Sequence, residues 1–263
     1  MIVVENLVRE LGTRKETKRI LDGLSFTAEP GFVTGLLGPN GAGKTTTMRV
    51  LSTLLRPTEG TVSIAGHDVV DEADEVRACI GLVTEEPGLV ERLTPREQLT
   101  FTGRAHGMAP DHLAARLAEL AAVLDCEQHL DKRSGQLSKG NRQKVALLRA
   151  LLHDPPVLLL DEPTANLDVV ATEGIHQLLS RPEVRQNKTI LLSSHSLDEI
   201  DRLSDRVVGL VAGKVVTTGT REEIAAGDPS GSFRQAFVNL LGRASLAAQN
   251  EEDAAEHDGG TNA

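Results

Sequence analysis

The segment Gly38 to Thr45, GPNGAGKT, constrains this chain more than any other stretch. It fits the spacing GxxxxGK[ST] and lies between Phe32 to Leu37, expected as a buried strand, and Thr45 to Leu55, which has the periodicity and length of a helix. Strand, loop and helix in that order give the spacing its meaning. Glycines at 38, 41 and 43 let the backbone turn tightly enough for successive N–H groups to face phosphate oxygens, and the helix start adds the positive end of its dipole. Lys44 can then reach the β and γ oxygens, while the Thr45 hydroxyl can ligate Mg²⁺. Pro39, Asn40, Ala42 and Thr46 complete the cradle. The loop implies a bound nucleoside triphosphate with its metal.

Two further motifs suit that ligand. Val157 to Glu162, VLLLDE, reads as an apolar strand ending in two adjacent carboxylates, at the edge where open α/β sheets place their ligands. Asp161 would hold Mg²⁺; Glu162, expected to point the other way because strand side chains alternate, could polarise an attacking water. Leu137 to Lys144, LSKGNRQK, opens a long apolar helix, with Ser138 as a candidate N-cap and Gly140 leaving backbone N–H groups accessible. That makes a second anion-binding helix start. One triphosphate rarely needs two such sites in one domain, so the economical reading is that this one closes on a nucleotide held by another subunit.

Around these motifs the chain reads as α/β. Residues 1 to 37 alternate strand-like and turn-like segments, as β hairpins leading into the buried strand. Strands are expected at Thr61 to Ile64, Ile80 to Val83, Val157 to Leu160 and Thr189 to Ser193, with helices beginning near Ala171 and Leu197. Such alternation predicts a mostly parallel sheet covered on both faces. From Pro95 to Leu137 the pattern becomes helical, with Pro95 starting one helix and Asp111 capping another, as an inserted lobe. The expected division is a single domain over 1–246: core 1–84 and 143–220, lobe 85–142, and a helical extension at 221–246. The acidic residues 247–263 are expected to be disordered.

Composition removes several classes of function. A net charge of −10 and the absence of Trp and Tyr argue against a nucleic-acid footprint or a stacking platform for single strands. The apolar runs fall far short of the roughly 20 residues that cross a bilayer, and no secretory signal is visible, so a cytoplasmic chain is expected. Cys79 and Cys126 form no metal or disulfide pattern and are expected as buried thiols.

Taken together, GPNGAGKT, LSKGN and VLLLDE make the chain resemble the ATP-binding cassette (ABC) ATPases, whose signature, usually written LSGGQ, stands where LSKGN does. The resemblance covers about residues 2 to 220. It implies an α/β P-loop NTPase core with a mixed, mostly parallel sheet, an N-terminal antiparallel β part and an inserted helical subdomain. It also implies ATP and Mg²⁺ as ligands, a homodimer or heterodimer of cassettes, and separate membrane permease subunits. Ala165 to Asp168, ANLD, matches the family's D-loop at the dimer seam, and His195 in SSHSLDE matches its switch histidine, which contacts the γ-phosphate.

Two positions depart from the pattern. Glu85 stands where the family has a glutamine: its carboxylate can bind Mg²⁺ but cannot donate a hydrogen bond. Leu11 aligns with an aromatic residue that stacks on adenine, and offers no π face. Within the family the chain looks most like the ATPase subunits of sodium-efflux and related ABC-2 exporters, peripheral on the inner membrane face, with Arg92, Asn141 and Arg142 as candidate lobe contacts. Two other readings stay open at this point: a soluble ABC ATPase acting on DNA or the ribosome, and a regulatory cassette with little turnover.

Overall fold

The computed structural model describes residues 1–13 and 16–258. The chain begins with β1 (Ile2–Thr13) and β2 (Glu16–Ala28), then β3 (Val33–Leu37), α1 (Lys44–Leu51), β4 (Glu59–Ile64) and β5 (His67–Asp68). Next come α2 (Ala73–Cys79), β6 (Ile80–Val83), α3 (Pro95–Ala105), α4 (Pro110–Val123), α5 (Lys139–Leu151) and β7 (Val157–Asp161). The rest is α6 (Val169–Leu179), α7 (Pro182–Arg185), β8 (Thr189–Ser194), α8 (Leu197–Leu203), β9 (Arg206–Val211), β10 (Lys214–Thr220), α9 (Arg221–Ala226) and α10 (Phe233–Asp258).

The strands form two sheets: an antiparallel one ordered β2-β1-β4-β5 and a six-stranded one ordered β10-β9-β3-β8-β7-β6. In the second, β9, β3, β8, β7 and β6 run parallel, and only β10 is antiparallel, on β9. This is the mixed, mostly parallel arrangement expected. Strand alternation explains why the central strands are apolar throughout. Leu158, Leu160, Ile190 and Leu192 pack into a core shared with α5, α6 and the lobe, whereas Val157, Leu159 and Leu191 pack on the opposite face against α1 and the N-terminal sheet. All of these side chains are buried, so the C-terminal ends of β3, β7 and β8 are held in fixed register.

The inserted lobe is helical as expected. α3 begins with a capping box, in which the Thr94 hydroxyl accepts from the Glu97 amide and the Glu97 carboxylate accepts from Thr94, with Pro95 in the first turn. Asp111 is not the cap of α4: the N-cap is Ala109, because the fixed φ of Pro110 starts the helix one residue earlier and leaves Asp111 in the first turn.

Other boundaries also move. α1 ends at Leu51, not Leu55, since Thr53 adopts a left-handed φ of 62°. The expected core edge at residue 143 falls inside α5, whose buried face runs unbroken from Gln143 to Leu151. At the C-terminus, α10 continues to Asp258 through much of the stretch expected to be disordered; its Ala, Glu and Gln content favours helix whether or not the segment packs. Residues 259–263 of that stretch lie outside the described residues. Cys126 is buried as expected, but Cys79 is only half-buried, because it lies at the exposed end of α2. Among the described residues no helix is long and apolar enough to cross a membrane.

Candidate functional site

The phosphate loop joins β3 to α1. Gly38 leaves β3 so close to β9 that a β-carbon would sit 2.2 Å from the Leu210 carbonyl oxygen, a contact only glycine avoids. Gly43 is the N-cap of α1 with φ 107°, a conformation that side-chain-bearing residues rarely adopt, and Gly41 has φ 81°. α1 therefore begins at Lys44 with its first amides turned toward a cavity of about 610 Å³.

Lys44 is 6% exposed and donates to the carbonyls of Gly38 at 2.8 Å and Pro39 at 3.2 Å. Its ammonium also lies 3.4 Å from Glu162 Oε1, a buried ion pair at the cavity floor. Glu162 in turn accepts a 2.8 Å hydrogen bond from His195 Nδ1 through its other oxygen. The three residues expected to carry hydrolysis thus form one connected chain. Glu162 diverges from Asp161 for a reason different from the one expected: β7 ends at Asp161, and Glu162 is itself left-handed with φ 48°, so a sharp turn and not strand alternation separates the two carboxylates. The turn is pinned by the Glu162 amide, which donates to Ser193 O at 3.1 Å and to Ser193 Oγ at 3.2 Å.

Asp161 faces the phosphate loop. Its Oδ1 accepts from Thr45 Oγ1 at 3.4 Å and from Ser193 Oγ at 2.6 Å. Glu85, at the cavity wall, accepts from Asn166 Nδ2 at 3.2 Å. Thr45, Asp161 and Glu85 are all oxygen donors, which suits a hard cation such as Mg²⁺. Among the described residues no group of three or more His, Cys, Asp or Glu could hold a metal alone.

Ser138, Gly140 and Asp168 do not join this cavity. They line a second, open groove of about 950 Å³ between the starts of α5 and α6. Ser138 caps α5 by accepting from the Asn141 amide, and Asp168 caps α6 by accepting from the Ala171 amide at 2.8 Å. Gly140 faces Ala171 with no room for a side chain: a β-carbon there would lie 2.7 Å from that of Ala171. Val169 and Val170, 85% and 83% exposed, stand beside the groove. Asn141 lines it, Arg142 is half-buried and Arg92 is exposed.

Leu11 is not at the cavity. The apolar residue lining it from the N-terminal sheet is Ile20, at the point where the pairing of β1 with β2 shifts register between Arg9 and Glu10. Ile20, Asn166 and Ser193 are the site residues that motif reasoning passed over. Asn166 and Ser193 lie inside quoted motifs, ANLD and SSHS, so their neighbourhood was visible although their partners were not.

A phosphate loop at the end of a central parallel strand, facing a histidine that follows the neighbouring strand and a carboxylate pair from the strand beyond it, defines a P-loop nucleotide-hydrolysing protein of α/β fold. Comparison with known proteins narrows this. The family model for the ABC transporter matches residues 21–165. The chain is 36% identical to the ABC transporter ATP-binding protein NatA of Bacillus subtilis, over 92% of this chain and 99% of that protein. It is 42% identical to the daunorubicin resistance ATP-binding protein DrrA3 of Streptomyces coeruleorubidus, over 80% of this chain and 66% of that protein.

Among solved structures, an ATP-binding subunit of an ABC transporter superposes with TM-score 0.81 at 30% identity, covering 91% of this chain and 99% of that one. A cassette in a dimeric post-hydrolysis state bound to ADP and Pi superposes with TM-score 0.76 at 28% identity, covering 84% and 98%. The chain belongs to the ABC transporter family, as an ATP-binding subunit. It binds ATP with Mg²⁺ and hydrolyses it as part of an ATP-driven transporter. Subunits of this family pair with membrane permeases and form cassette dimers.

Proposed function

We propose that ATP is hydrolysed at the Lys44–Glu162–His195 chain once the groove of a second cassette closes over it. The observation that carries this reading is the continuous contact from Lys44 through Glu162 to His195 on the wall of one cavity. The α1 amides and buried Lys44 neutralise phosphate charge in a place where few competing waters screen them. Thr45 and Asp161, joined by Glu85, would hold Mg²⁺, which supplies charge neutralisation on the phosphate oxygens when bound. Glu162 has one oxygen on Lys44 and the other on His195, so the strained turn presents its carboxylate in a defined direction as base for the attacking water. His195, whose side chain is 54% exposed, stands at the open edge, where a γ-phosphate and the water meet.

The second groove supports the dimeric part of the reading. Ser138, Gly140 and Asp168 lie outside the cavity that holds the phosphate loop, so they serve a nucleotide bound to the other cassette. ATP favours the closed pair, and hydrolysis reopens it. The relatives named for NatA and for daunorubicin resistance support an exporter whose permease is a separate chain of the ABC-2 type, with this subunit peripheral on the cytoplasmic face. Either a homodimer or a heterodimer of cassettes satisfies the geometry.

A Ser138→Arg variant tests the division of labour. ATP binding by the isolated chain should stay within about two-fold of the parent, while Mg²⁺-dependent hydrolysis falls at least ten-fold. Hydrolysis that survives the arginine, or ATP binding that disappears with it, would refute the assignment of the two grooves.

A further inference from the structure

Glu199 is 3% exposed and closes the SSHSLDE segment that carries His195, a position to which the motif itself assigns no task. A carboxylate this deep is costly to keep charged unless its oxygens are fully hydrogen-bonded. Here they are. Oε1 accepts from Thr164 Oγ1 at 2.7 Å and from His176 Nε2 at 3.2 Å, and Oε2 accepts from Ser194 Oγ at 2.6 Å. Burial works against the charge, but the hydrogen bonds from His176, Ser194 and Thr164 outweigh it and hold the carboxyl below its ordinary range. Thr164 lies two residues after Glu162, and Ser194 immediately precedes His195. The same Ser194 hydroxyl accepts from the Ser196 amide, and the Ser196 hydroxyl caps α8 by accepting from the Glu199 amide. His176 comes from α6, the helix that Asp168 caps.

We infer that Glu199 is a positioning residue for hydrolysis, tying the loop that carries Glu162 to the turn that carries His195 and so fixing the contact between them. It cannot touch the nucleotide, because it is buried behind both segments. The inference rests on the assignment of Glu162 and His195 made above. Two segments from different strands each end in a residue with an unusual task, and one of them, Glu162, is held left-handed. Local sequence does not favour that conformation, so an outside clamp is required to keep it. Glu199 supplies the clamp with two short hydroxyl–carboxylate bonds, one to each segment, and His176 satisfies a remaining lone pair.

The test compares Glu199→Gln and Thr164→Val, which keep side-chain shape, with Leu203→Val, which loosens the buried face of α8 without touching the clamp. The expected result is a fall in kcat of at least ten-fold for Glu199→Gln and a smaller fall for Thr164→Val. KM for ATP should stay within about two-fold, since the phosphate loop is not attached to Glu199. The ¹⁵N signals of the His195 ring should move in both clamp variants and stay in place in Leu203→Val. Equal losses in all three variants, or His195 signals that ignore Glu199, would overturn the inference. A parent chain whose turnover survives Glu162→Gln would overturn the site assignment and this inference with it. Turnover that needs Glu162 but not Glu199 overturns the inference alone.

Discussion

Acidification should weaken this protein through one histidine remote from the nucleotide. His153, just after α5, stacks on His106 at the end of α3, with ring centroids 3.8 Å apart and planes 11° from parallel. Its Nε2 bonds to the Ile80 carbonyl at 3.1 Å and its buried Nδ1 has no partner among the described residues. Burial, then His106, then Lys188 push its imidazole down to about 4 from the ordinary 6.5, against the pull of the Ile80 carbonyl and Asp154. Lys188 and Arg116 both pair with Asp154, so that carboxylate is already engaged. Since the folded pKa lies below the unfolded one, the unfolded chain binds the extra proton. The contribution is complete above pH 6.5 and is lost as pH falls toward 4. From those two values, lowering the pH from 7.5 to 5 would remove about 2 kcal/mol for a fully screened-off ring, and solvent reaching the half-buried imidazole cuts this to about 1 kcal/mol. His106, pushed down in the same direction by its own burial, adds to the trend. His153→Phe keeps a ring against His106 and removes the titration. Urea unfolding of both proteins at the two pH values should show the parent losing about 1 kcal/mol more than the variant. Parallel pH dependence in the two would refute the reasoning.

Two other outcomes follow from packing. Gly38→Ala drives a β-carbon onto the Leu210 carbonyl oxygen, a backbone atom that cannot rotate away, so it should cost about 1–3 kcal/mol in urea unfolding and weaken ATP binding; unchanged stability and affinity would contradict the role given to that contact. Cys126 is fully buried, with its thiol pushed up to about 11, chiefly by that burial, so a thiol reagent at pH 8 should react with half-buried Cys79 in the native protein and with Cys126 only on unfolding.

Much of the site was legible because its chemistry depends on short, local spacing. GPNGAGKT sets both the turn and the helix start, and VLLLDE places two acids at a strand end whatever surrounds them. The parallel sheet followed from continuous apolar strands alternating with helices. What stayed hidden depends on partners distant in the chain. The turn at Glu162 is stabilised by Ser193, 31 residues away, and no local pattern announces a left-handed glutamate. Glu199 looks like an ordinary helix residue until Thr164 and His176 are brought to it. Ile20, not Leu11, lines the cavity, at a register shift between β1 and β2 that alignment by motif cannot see. α10 runs on to Asp258 through the acidic stretch because Ala and Glu favour helix despite the charge.

The most direct test of the account compares Mg²⁺-dependent ATP hydrolysis by the parent chain and by Glu162→Gln, with the oligomeric state of each recorded in ATP. The glutamine keeps the size of Glu162 but cannot take the proton of the attacking water, so turnover should fall at least a hundred-fold while the variant accumulates as an ATP-bound dimer. Turnover close to that of the parent, or a variant that stays monomeric in saturating ATP, would contradict the role of Glu162 and the closing of two cassettes around the nucleotide.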